Sequence, residues 1–250
     1  NLWKLVLKKL GTNVNHIKAS YMYYSSSLLA YTPGKIANAI GMAALAKEYK
    51  ISISNTITTV VFFQIYSLIS GTFLIAIFSF LSDSELIGNL NLENIWILFF
   101  ASLIGMVLIY PSFQEFTINI LKKLTRKEIE NPNNNFLVSI YHIILYGFGW
   151  MIYCLSITLL INSLTENLDL LIYPFVVVIL IASYLSGLLA FVVPAGFGIL
   201  EAGMIYGFGS ILNIKEILLV TIIFRIGNIF SILIGWLILK IYLLNKSKYL

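Results

Sequence analysis

The chain is built on runs of about twenty or more apolar residues, the length a helix needs to cross roughly 30 Å of hydrocarbon at 1.5 Å per residue. Five such runs are predicted as full spans: about 54–81, 93–111, 136–162, 170–193 and 216–244. A soluble domain of 250 residues with 59% apolar and only 11% charged residues could not hide its apolar surface in one core, since such domains run at about 45–50% and 25%. The expected class is an all-α polytopic membrane protein of about five full transmembrane helices.

Two further stretches, 17–46 and 199–212, are apolar but too short or too interrupted for ordinary spans. Charge placement says how they sit. Thirteen of the sixteen basic residues fall into segments read as one side: Lys4, Lys8, Lys9 and Lys18; Lys47 and Lys50; Lys122, Lys123, Arg126 and Lys127; and Lys240, Lys246 and Lys248. Connectors 82–92 and 163–169 carry only Asp83, Glu85, Glu166 and Asp169. Basic loops stay cytoplasmic, so the C-terminus is expected there, in a multi-pass protein of a prokaryotic plasma membrane. The same bias accounts for the net charge of +5 without nucleic acid.

Segment 17–46 then begins and ends on the cytoplasmic side and must turn back, at Thr32-Pro33-Gly34-Lys35. Segment 170–212 returns to the outer side, turning at Pro194-Ala195-Gly196-Phe197-Gly198. Two Pro/Gly-broken re-entrant hairpins thus enter from opposite faces, each followed by a full span. Pro33 and Pro194 are 161 residues apart, and the same offset pairs Phe63 with Phe224 and Gln64 with Arg225. This order predicts an inverted repeat, with halves at about 17–81 and 170–244 joined by 82–169 in a single transmembrane domain. Transporters of that plan hold substrate at the repeat interface. The chain opens at Asn1 rather than Met and is read as part of a longer protein, with the first span or spans upstream.

A charge at the bilayer centre costs roughly 2.5–3.5 kcal/mol on insertion scales, so it faces a partner or a wet cavity. Lys35, Gln64, Glu201 and Arg225 are the candidates, with Asn228 one turn beyond Arg225 and Ser67 in the matching place after Gln64. Each has a plainer alternative. Arg225 either pairs with Glu201 to join two helices or faces substrate; Lys35 either snorkels to the surface or lines a site; Gln64 either bonds a neighbouring helix or a ligand. Glu201 either neutralises Arg225 or carries a coupling proton. Pro33, Gly34, Pro194, Gly196 and Gly198 mark the turns, since irregular backbone at membrane depth is tolerated where it is buried in protein or lines a cavity. Gly203 and Gly207 form a GxxxG pair expected to let helices pack closely. His16 and His142 are read as loop or packing residues, and the tyrosines and tryptophans as interfacial belts.

No HExxH, GxSxG or GxxxxGK element is present, and the lone Cys154 excludes an internal disulfide. Neither an enzyme, a metal nor a cofactor is expected.

Tyr31-Thr-Pro-Gly-Lys35 with Gly41-Met-Ala-Ala-Leu-Ala-Lys47 resembles the N-terminal motif of the lysylphosphatidylglycerol synthase transmembrane-region family of flippase-like integral membrane proteins. Val193-Pro-Ala-Gly-Phe-Gly-Ile-Leu-Glu201-Ala-Gly203, with Phe224-Arg225 downstream, is similar to its C-terminal motif. The match spans about 20–240. The resemblance implies handling of an anionic lipid, phospholipid or polyprenyl-phosphate-linked, and relatives occur with glycosyltransferases, so a glycosyltransferase or lipid-synthase partner is an expectation. The soluble aminoacyl-transferase domain of multiple peptide resistance factors is missing, so the chain is not expected to make lysyl-lipid itself. Two rival readings are a secondary transporter of a small solute and a membrane subunit of an envelope lipid glycosylation or modification system.

Overall fold

The computed structural model describes residues 2–29, 36–82, 105, 107, 110–125, 136–164, 170–189 and 196–247. Among these the regular structure is entirely helical: α1 (Leu2–Lys9), α2 (His16–Leu28), α3 (Ile36–Glu48), α4 (Ile53–Leu81), α5 (Pro111–Thr125), α6 (Phe136–Leu164), α7 (Tyr173–Leu189), α8 (Ile199–Phe208) and α9 (Ile214–Ser247). A single 3-10 turn, Leu170–Ile172, leads into α7.

Helix starts follow local capping chemistry. Ser52 Oγ accepts from Asn55 N at the head of α4, and Asn15 Oδ1 from Ile17 N at the head of α2. At α9 the Asn-x-x-Glu sequence closes a reciprocal box. Glu216 N donates to Asn213 Oδ1 at 3.0 Å, and Asn213 N donates to Glu216 Oε2 at 2.9 Å, satisfying two amides the helix leaves unpaired. Hydroxyls inside the apolar helices turn back on the carbonyl four residues earlier, as Thr59, Ser79 and Thr158 do. That removes the cost of an unpaired hydroxyl in an apolar surrounding.

Among the described residues, three helices are long and apolar enough to cross a membrane: α4, α6 and α9. They correspond to three of the five expected spans. Of the expected span 170–193, the described part is a 3-10 turn and the helix α7; residues 190–193 lie outside the described residues. Most of 93–111 lies outside the described residues. The arms expected for the first hairpin are present as α2 and α3, each of 13 residues or about 20 Å. Its turn, with Pro33, Gly34 and Lys35, lies outside the described residues, as does Pro194.

α7 is the central post. Every residue from Phe175 to Ile181 is buried, and the helix packs on α4, α6 and α8. An added Cβ at Gly203 would lie 2.6 Å from Ser183 Oγ, and one at Gly207 would run into Ile179. The GxxxG pair therefore permits α8 to lie against α7, as expected from the small-residue spacing. By contrast, α9 leaves Ile222, Ile226, Phe230, Leu233 and Leu237 exposed, the surface a lipid-facing helix presents.

One basic residue departs from its expected place. Lys4 and Lys8 are half-buried and exposed, but Lys9, grouped above with the cytoplasmic loop lysines, is only 7% exposed. Residues 2–9 form a helix whose buried side carries Trp3, Val6, Leu7 and Lys9, so the spacing that buries Val6 and Leu7 also turns Lys9 inward.

Candidate functional site

A partly open cavity of about 430 Å³ has α4 and α9 in its wall, within the roughly 300–1,000 Å³ usual for small-ligand sites. α4 contributes Phe63, Gln64 and Ser67; α9 contributes Phe224, Arg225 and Asn228. Phe63, Gln64 and Ser67 correspond to Phe224, Arg225 and Asn228 at the 161-residue offset, whereas Val60 and Ile232, which also line the cavity, have no counterpart in its wall. Residues three and four apart share one helix face, which explains why each trio points the same way. α2 and α3 add Ser27 and Asn38, α7 adds Gly187, and the turn before α8 adds Gly196.

Arg225 is held rather than loose. Its Nε donates to Glu201 Oε1 in an ion pair, and its Nη2 lies 3.4 Å from Gly196 O. The guanidinium carbon sits 4.1 Å from the Phe197 ring centroid, a distance at which the ring face attracts a cation. Glu201 is the third residue of α8, and its other oxygen, Oε2, accepts from Gly198 N at 2.7 Å. One carboxylate thus caps α8 and fixes Arg225. Both side chains are partly buried, at 15% and 20% exposure, so the cation still reaches the cavity that it lines.

The turn before α8 needs its glycines. Gly196 and Gly198 have φ of +66° and +81°, where a side chain is strained. Gly196 also approaches Gly187 closely: a Cβ there would lie 3.1 Å from the Gly187 Cα. A larger residue there would require the two backbones to separate by a few tenths of an ångström.

Of the expected site residues, Gln64, Arg225, Asn228 and Gly196 line the cavity, while Glu201 and Gly198 stand behind Arg225. Lys35, Pro33, Gly34 and Pro194 lie outside the described residues. The aromatic wall was not anticipated: Trp3, Tyr23, Tyr153 and Tyr184 line the cavity, whereas the tyrosines and tryptophans were expected in interfacial belts. Tyr153 packs edge-on against both Tyr184 and Phe224. Composition alone gives no sign of which tyrosines turn inward.

A helical bundle with three helices able to span, an outward apolar face and an internal cavity set with polar groups and an ion pair defines a multi-pass membrane protein. The chain matches the family model of the lysylphosphatidylglycerol synthase TM region over residues 2–235, and it belongs to that family. No curated protein and no solved structure matches it.

Proposed function

We propose that the protein binds an anionic lipid by its headgroup and carries it across the bilayer. The observation that supports this most is the position of Arg225 on the wall of the cavity, oriented by Glu201 and flanked by Gln64, Ser67 and Asn228. A guanidinium gives a phosphate paired, directional hydrogen bonds, and the amide and hydroxyl groups can take its remaining oxygens. Lys35 would supply a second positive charge from the first hairpin, as the family resemblance suggests. The cavity accommodates a headgroup, and the acyl chains would remain in the hydrocarbon beyond it.

In this reading the protein is a carrier and not an enzyme. The two halves, 17–81 and 170–244, act as inverted repeats whose hairpins enter from opposite faces, and the basic loops and C-terminus face the cytoplasm of a cell membrane. Alternating exposure then requires the α4 side and the α9 side to rock about the shared cavity. A lipid synthase or glycosyltransferase would be the source of the lipid.

The test is capture. With a photo-crosslinking amino acid at Asn228, irradiation in native membranes should trap phosphate-bearing lipid on the purified full chain, and Arg225→Ala should reduce the yield at least tenfold. Equal capture of anionic and neutral lipids in both proteins would contradict a headgroup site at Arg225.

A further inference from the structure

A second polar cluster joins α1, α4, α5 and α6. Lys9 Nζ donates to three neutral oxygens on three other helices: Tyr66 Oη on α4 at 3.0 Å, Gln114 Oε1 on α5 at 2.7 Å and Ser139 Oγ on α6 at 2.6 Å. Gln114 Nε2 donates to Ser139 Oγ at 3.1 Å, tying the acceptors together. All four residues are buried: Lys9 at 7% exposure, Tyr66 and Ser139 at 0% and Gln114 at 1%. Three acceptors match the three N–H bonds of an ammonium, yet no carboxylate lies within ion-pairing distance of Lys9 among the described residues. A cation built into a core without an anion is held by dipoles alone and is open to discharge.

We propose that Lys9 is a proton-binding site, and that its occupancy sets how firmly α1 is seated against α4, α5 and α6. Protonation puts a full charge in the core and loosens α1; release of the proton to water leaves a neutral amine that the same site holds at less cost. Burial is consistent with this, since it pushes the Lys9 ammonium down to about 8 from the ordinary 10.5.

The groups that face Lys9 are accounted for by element. α4 presents Tyr66; α6 presents Ser139 and His142, whose ring stacks on Tyr66 at 5.4 Å, with buried Tyr146 one turn further along. α5 presents Gln114, and its neighbour Glu115 is exposed. α2, on the other side of α1, carries His16 and Lys18, both exposed.

The site is connected to the cavity twice. Trp3, six residues before Lys9 on α1, lines the cavity, and Tyr66 adjoins Ser67, which also lines it. A proton at Lys9 therefore acts on two cavity walls, whatever the cavity carries.

The experiment places a nitroxide on the exposed Lys8 position (Lys8→Cys in a Cys154→Ala background) of the full chain in nanodiscs. Spectra are recorded from about pH 6 to about pH 10, the range that separates a displaced lysine from an ordinary one. The label should be mobile at low pH and become ordered through a single-proton step. Lys9→Met should abolish the step and leave the label ordered at every pH. Ser139→Ala, which removes one acceptor from the ammonium and leaves the fold packed, should move the midpoint to lower pH. A flat profile in the parent, a step that survives Lys9→Met, a label mobile throughout in that variant, or a midpoint unmoved by Ser139→Ala would overturn the assignment.

Discussion

Gln64 and Arg225, 161 residues apart in the chain, face one another's cavity from α4 and α9. Phe63 with Phe224 and Ser67 with Asn228 repeat the relationship at the same offset. Three positions on each helix thus line one space at a common offset. If the positions are equivalent, moving the charge should be tolerated better than deleting it. The double exchange Gln64→Arg with Arg225→Gln should insert and remain monodisperse, and lipid capture should exceed that of Arg225→Gln alone.

The ion pair makes a second prediction. Glu201→Gln leaves Arg225 without its anion in a partly buried place, at a cost on the order of 3 kcal/mol. Arg225→Gln strands Glu201 similarly. The combined variant should lose clearly less than the sum in thermal unfolding, because neither charge remains to be stranded. Additive losses would mean the carboxylate and guanidinium contribute independently.

The two glycines of the turn separate strain from crowding. Gly198→Ala meets no neighbouring atom within 4 Å and should cost only the strain of its backbone, at φ +81° and ψ −41°, on the order of 1–3 kcal/mol. Gly196→Ala adds a Cβ 3.1 Å from the Gly187 Cα and should cost more, and should also weaken the Glu201–Arg225 pair. The order of their unfolding temperatures checks this, with Gly196→Ala the lower.

Lys9 gives a pH dependence with a definite sign. Its value in the folded protein, about 8, lies below the ordinary 10.5, so between those pH values the unfolded chain binds more protons. Stability therefore rises as pH goes from about 8 towards 10.5. Thermal unfolding of the full chain should show that rise, and Lys9→Met should lack it.

The parts of the site legible in the sequence are those that break a pattern. Arg225 and Glu201 stand out in apolar runs because charge at membrane depth is expensive, and the Gly-x-Gly turn beside them marks backbone that a helix could not follow. Gln64 and Asn228 emerge from spacing relative to Arg225. Lys9 was hidden because counting basic residues by loop treats every lysine near a span as solvated. The signal that could have found it is its position three residues after Val6 and seven after Leu2 on one helical face. Tyr23, Tyr153 and Tyr184 were hidden for a different reason: an amphipathic ring suits an interface and a cavity wall equally, and only packing decides between them.

The most direct test is lipid movement itself. The purified full chain is reconstituted in vesicles containing a traceable phosphate-bearing anionic lipid or a neutral glycolipid of matched acyl chains, and arrival in the outer leaflet is followed by an impermeant label. The account predicts that the anionic lipid crosses faster than in empty vesicles and the neutral lipid does not. Arg225→Ala should lower the rate at least tenfold, and Gln64→Ala should lower it by less. Equal rates with and without protein, or full activity in Arg225→Ala, would contradict a headgroup site at Arg225.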